Sequence, residues 1–112
     1  MESNSVINAL AALAQDTRLA AYRLLVQAGP DGLAAGEIAE RLAVPPATLS
    51  FHLKELARAG LLQARPAGRF VMYHADYRVM HALIDYLSEN CCGGDRTVCA
   101  PALSPSPCKD CS

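Results

Sequence analysis

Apolar side chains recur along the first ninety residues in short helical patterns, each bounded by a residue that caps or breaks a helix. Asn4 and Ser5 precede an apolar stretch over residues 6–14. Asp16 or Thr17 precedes another over residues 18–28, which Gly29-Pro30 closes, so both stretches predict helices with side-chain N-caps. In the second, Leu19, Tyr22, Leu25 and Val26 fall at i, i+3, i+6 and i+7 and predict the buried face. Leu33-Ala34-Ala35 leads into a short helix over residues 36–42 with Ile38, Ala39 and Leu42 on one side. Pro45-Pro46 then breaks the chain. Pro46 suits the first turn of a helix over residues 47–59 that ends at Gly60. Leu49, Leu53 and Leu56 share one face of that helix, and Thr48, Ser50, Phe51, Lys54, Glu55 and Arg58 make up the other.

The period then shortens. Residues 61–65 and 69–74 read as two strands around Pro66-Ala67-Gly68, a small β-hairpin. Asp76 can cap a last helix over residues 77–90, whose apolar positions Val79, Met80, Leu83, Ile84, Tyr86 and Leu87 are too many for one core face. A small domain with such a helix buries it against a partner, which predicts a homodimer through residues 6–14 and this last helix. From Gly93 onward Gly, Ser, Pro and Cys occur without periodicity. The chain therefore divides into a folded domain, residues 1–92, and a loose Cys-containing tail, residues 93–112.

Composition narrows the class. With 112 residues and 52% apolar side chains there is room for one domain with a modest core. Alanine and leucine predominate over Val, Ile and Thr, so the fold should be mainly α with a small β-hairpin. A formal net charge of −1 argues against a polyanion partner until its distribution is considered. Residues 41–78 carry six basic and two acidic side chains, a local excess of +4 flanked by acidic segments. Such a block can dock on phosphates because the field is local. No run approaches the roughly 18 apolar residues of a membrane span. Glu2, rather than a basic segment, precedes the apolar stretch at residues 6–14, so a cytoplasmic protein without membrane attachment is expected.

Three helices, a tight break and a β-hairpin follow the order of a winged helix-turn-helix. A helix of about 13 residues with short polar side chains at its N-terminal end fits the major groove of DNA, with its first backbone N–H groups turned toward phosphates. Thr48, Ser50 and His52 are the candidate base readers. His52 follows Leu49 by three residues and equally suits an interior place. Lys54, Arg58, Arg65 and Arg69 are candidates for phosphate or minor-groove contact, ordinary surface pairing being the alternative. Glu37, Glu40 and Glu55 read as a solvated helix face.

The segment GEIAERLAVPPATLSFHLKELARAGLLQARPAGRFVMY at residues 36–73, with DTRL at residues 16–19, resembles the ArsR/SmtB family of metal- and metalloid-responsive repressors. The resemblance covers about 90 residues and implies a homodimeric winged helix-turn-helix repressor that binds operator DNA. Some family members hold zinc through histidines and carboxylates of the last helix, usually with two histidines near its end. Here His81 is alone among Asp76, Asp85 and Glu89.

All five cysteines, Cys91, Cys92, Cys99, Cys108 and Cys111, fall in the last 22 residues. In a reducing compartment they suggest a thiolate site rather than a disulfide framework. Trivalent arsenic and antimony keep a lone pair and favour three sulfurs in a pyramid, whereas zinc fills a tetrahedron. ENCCGGDRTVC at residues 89–99 looks like one group of arsenic-responsive repressors with a Cys-Cys pair ending the last helix and a third cysteine beyond. The resemblance thus implies As(III) or Sb(III) as inducer, held by Cys91, Cys92 and Cys99. Other arsenic repressors carry their cysteines on the helix before the recognition helix, and residues 36–42 contain none. Cys108 and Cys111, at CxxC spacing, could form an additional soft-ion site, a redox pair or a replacement for Cys99. Sensing of Cd(II), Pb(II), Zn(II) or thiol oxidation through the same cysteines is the alternative signal. A small thiol metallochaperone or enzyme is disfavoured, because no histidine lies near the cysteines in sequence to act as a base.

Overall fold

The computed structural model describes residues 1–91. Helix-forming spacing produces α1 (Ser3–Leu13) and α2 (Asp16–Ala28), then β1 (Leu33–Ala34), α3 (Ala35–Leu42) and α4 (Pro46–Arg58). A hairpin, β2 (Leu62–Ala67) and β3 (Phe70–Ala75), leads into α5 (Tyr77–Ser88). Every expected element is present, and β1 is added. The core gathers one face from each helix, and Leu25, Ile38, Leu49, Leu53, Leu56, Leu61 and Leu62 are its fully enclosed side chains.

The helix starts differ from the sequence expectation. α1 begins ahead of Asn4 and Ser5, with Glu2 at the N-cap and no side-chain cap bond; the Val6 N–H donates to the Glu2 carbonyl instead. For α2 the cap is Gln15, whose side-chain oxygen accepts the Arg18 N–H at 2.8 Å. Asp16 moves into the first turn, where its charge faces the positive end of the helix dipole. The buried face of α2 is Ala21, Tyr22 and Leu25. Leu19 lies about a third of a turn from the centre of that face and is exposed.

β1 pairs antiparallel with β3, Leu33 opposite Tyr73 and Ala34 opposite Met72, giving a sheet of order β1-β3-β2. Two residues show no periodicity, so nothing in the pattern announced this strand. Its approach requires a glycine. Gly32 has φ +71°, and a Cβ there would collide with the Tyr73 carbonyl oxygen. The hairpin turn is Gly68-Arg69, because Ala67 pairs with Phe70. Pro66, expected in the turn, instead lies within β2 opposite Val71, which an edge strand tolerates.

Asp76 joins the hairpin to α5. Its carboxylate accepts the backbone N–H groups of Arg78 (3.1 Å) and Val79 (3.5 Å), capping the helix as expected. The Gln63 side-chain amide donates to its other oxygen at 2.9 Å, and its own N–H donates to the Leu61 carbonyl. Burial alone would raise this carboxyl's pKa. The Gln63 amide, the Val79 and Arg78 N–H groups and the Arg78 charge outweigh burial and hold it below the ordinary value.

α5 stops at Ser88, two residues earlier than expected, and Asn90 takes a left-handed φ of 57°. The cysteine pair therefore does not end the helix. Cys91 follows it by three residues as a half-buried free thiol, and Cys92 lies outside the described residues. Within α5 only Leu83 is buried, while Ile84 (50%) and Leu87 (59%) are exposed. Ile7 and Leu10 on α1 are exposed as well. Among the described residues, an apolar face of α1 and one of α5 thus stay exposed.

Two outcomes are expected from this architecture. Asp76→Ala should cost about 0.5–2 kcal/mol at neutral pH in urea denaturation. Because the folded pKa is depressed, that contribution is present above the unfolded value of about 3.9 and fades as pH falls through the folded value, so the gap to wild type should close in acid. Replacing Ile84 and Leu87 together by Asp should give a folded monomer by light scattering and circular dichroism. Leu83→Asp, by contrast, places a charge in the protomer's own core and should unfold it.

Candidate nucleic-acid interface

α3 and α4 are joined by a tight turn. Ala43 adopts a left-handed conformation (φ 54°), and the Val44 N–H returns to the Ala39 carbonyl. Pro45 and Pro46 then start α4, with no side-chain cap and no acidic residue in the first turn. The leading N–H groups of this helix therefore have no side-chain partner from the cap position, the condition under which a helix N-terminus favours an anion. Leu49, Leu53 and Leu56 hold α4 on the core, with Arg18, Glu55 and Phe51 around its flanks.

The candidate residues separate clearly. Thr48 and Lys54 are exposed on the side of α4 away from the leucines, and Ser50 is half-buried at its flank. Arg58 is exposed and reaches Glu55 at 3.5 Å, a surface pair of little energetic consequence. Arg65, on β2, donates to the Pro30 carbonyl at 3.3 Å, and Arg69 is exposed in the hairpin turn. Lys54 and Arg69 form no ion pair among the described residues. Glu37 pairs with Arg41 at 2.9 Å on the exposed face of α3, as a solvated helix face should.

His52 is half-buried at the flank of α4. Its Nδ1 lies 3.3 Å from Arg18 Nη1. A guanidinium can only donate, so Nδ1 accepts and carries no proton in this contact. Arg18 Nε in turn donates to the Ala12 carbonyl at 2.6 Å. One side chain therefore ties the end of α1 to the flank of α4. Arg18 was not singled out from the sequence, because only the packing of three separate helices gives it this role. Beside it a cleft of about 520 Å³ opens between α1, α2 and α4, lined in part by Asn8, Arg18, Phe51, Glu55 and Arg58.

The cysteine candidates are less complete. Cys91 alone is described; Cys92, Cys99, Cys108 and Cys111 lie outside the described residues. Among the described residues no three His, Cys, Asp or Glu side chains converge as a metal site. Asp76 is taken up by the cap, away from any grouping with His81, Asp85 and Glu89. No helix of the described residues is long and apolar enough to cross a membrane.

Comparison with known proteins agrees with this geometry. The family model for a helix-turn-helix domain matches residues 13–63. No curated protein sequence matches the chain at a significant level. Among solved structures, an ArsR-like transcriptional regulator from Rhodococcus sp. RHA1 superposes with a TM-score of 0.71 at 24% identity, over 91% of this chain and 93% of that one. HlyU from Vibrio cholerae N16961 gives 0.62 at 29% identity, over 82% and 99%. A homodimeric winged helix-turn-helix DNA-binding domain from Mycobacterium bovis, described as a possible ArsR-family transcriptional regulator, gives 0.63 at 26% identity, over 82% and 85%. Residues 13–63 of this chain form a helix-turn-helix domain, and the β2–β3 hairpin behind it completes a winged helix-turn-helix fold.

Proposed function

We propose that the chain is a homodimeric, DNA-binding transcriptional repressor of the ArsR/SmtB kind, released from its operator when As(III) or Sb(III) is held by the thiolates of Cys91, Cys92 and Cys99. The observation that carries the DNA-binding reading is α4: three enclosed leucines on one side, a polar and basic surface on the other, and an uncapped N-terminus. Thr48 and Ser50 are the proposed base readers, and Lys54, Arg58, Arg65 and Arg69 the proposed phosphate contacts. The Mycobacterium bovis relative, described as homodimeric, and the uncovered apolar faces of α1 and α5 support a dimer.

The sensing reading rests on the cysteine spacing and on where Cys91 stands. Adjacent side chains on a helix diverge by about 100°. Cys91 lies past the end of α5, after the left-handed Asn90. Each thiol that binds replaces one hydroxide of arsenite, which leaves as water with the thiol's proton, and three sulfurs hold the ion far better than two. Release requires that the ion-bound form fit DNA less well, because a ligand with equal affinity for both forms shifts nothing. Drawing the thiols together pulls on the turn directly after the uncovered face of α5. The two protomers would then rotate, and their α4 helices would no longer match two half-sites.

Operator binding should weaken steeply with salt, log K falling by roughly 0.9 per phosphate contact in log salt. Arg69→Ala should make that slope shallower, while Thr48→Ala or Ser50→Ala should alter sequence preference by about 1–3 kcal/mol per lost contact. Gel shifts across a salt series check both, and unchanged affinity in all three variants would show that α4 has been misassigned. Cys91→Ser, Cys92→Ser and Cys99→Ser should each still bind DNA but no longer dissociate with arsenite, whereas Cys108→Ser and Cys111→Ser should respond almost as wild type. Release by Cd(II) or Zn(II) but not arsenite would replace the metalloid signal with a divalent one.

A further inference from the structure

The chain has two phenylalanines and no tryptophan, and neither phenylalanine is in the core. Phe51 is 57% exposed on α4, and Phe70 is 64% exposed beside the hairpin turn. Both stand within the basic segment proposed to meet DNA. Phe51 lies about 200° around α4 from Leu49, exposed where the cleft between α1 and α4 opens. Thr48 stands one turn before it, Lys54 one turn after and Arg58 two turns after, all exposed.

The ring is also steadied from behind. It meets the His52 ring edge-on, with centroids 5.6 Å apart and planes at 63°. His52 is in contact with Arg18, and Arg18 with the Ala12 carbonyl. A chain of contacts from α1 through α2 thus backs an exposed apolar group on the helix that also carries Lys54 and Arg58.

We propose that Phe51 is a specificity-determining residue that reads thymine through its 5-methyl group in the major groove. The inference rests on the DNA-binding reading above. Thymine alone presents a methyl group, beside its O4 acceptor, on its major-groove edge; the polar groups of the other bases offer an aromatic ring no methyl to pack on and would be stripped of water by it. Lys54 and Arg58 supply the charge that brings the phosphates of such a duplex to this face. The ring therefore favours a thymine at one position of each half-site and disfavours cytosine there, whose amino group it would leave unpaired.

The test uses the full chain. Duplexes enriched from a random-sequence pool by the wild-type protein are resynthesised with deoxyuridine replacing thymidine at one position at a time, which removes the methyl and keeps the base pair. At one thymine per half-site, wild-type binding should weaken about fourfold, the effect of one buried methyl group. Phe51→Ala should bind the thymidine and deoxyuridine duplexes equally, and Phe51→Leu should keep part of the difference. Both variants alter an exposed side chain and should melt as wild type does. A deoxyuridine penalty of the same size in wild type and Phe51→Ala, or at no position in wild type, overturns the proposal. A Phe51→Ala protein that loses its dimer and keeps its methyl sensitivity also overturns it, placing the ring under a second copy of the chain. If no duplex is enriched at all, the DNA-binding reading itself falls, a result distinct from failure at Phe51 alone.

Discussion

The structure depends on one helix being held from one side only. Leu49, Leu53 and Leu56 are spaced so that all three enter the core, and their burial fixes the rotation of α4 about its axis. A single-residue slip would turn the helix by about 100° and carry Phe51, with one of Thr48 and Lys54, off the outer surface. Hydrophobic burial thus sets the direction in which polar and cationic groups point, although none of those groups takes part in it. Arg18 reinforces the setting from the flank through His52, linking the orientation of α4 to the position of α1.

A second junction lies at Asp76. Its carboxylate is shared between Gln63 on β2 and the first turn of α5, and its own N–H is bound to Leu61 just ahead of β2. The hairpin and the last helix are therefore tied together at this corner. For a protein in which the far end of α5 is proposed to sense and the hairpin to touch DNA, that corner is a short mechanical route between the two. The low pKa of Asp76 follows from the same hydrogen bonds, since a carboxylate that accepts from three directions resists protonation.

Much of this was legible in the sequence, for identifiable reasons. The leucine spacing of α4 survives any tertiary context because a helix that must be buried on one side has few other ways to do so. The Asp76 cap is legible because the residue type and its place before an apolar run are both local. The caps of α1 and α2 were misplaced because Asn, Ser, Asp and Thr all suit that position, and the packing of the following helix selects among them. Leu19 was assigned to the core because it matched the period, yet the actual contact face of α2 is centred on Ala21 and Tyr22. β1 and Arg18 were invisible, since the one is two residues long and the other acts only between segments distant in sequence. The spacing of Phe51 puts it on the side of α4 away from the leucines, but an uncharged ring carries no sign of a phosphate contact.

The placement of Pro66 bears on self-association. A hairpin that stands out from a domain with Phe70 and Val71 exposed presents an edge strand, β2, with backbone groups that a strand from another molecule could pair with. Pro66 has no N–H to offer, and Arg65 beside it carries a charge that would be repeated at short distance in a stack of identical strands. The edge is thereby kept from acting as a template for sheet growth. The apolar side chains of the hairpin can remain exposed without drawing copies of the protein into fibrils.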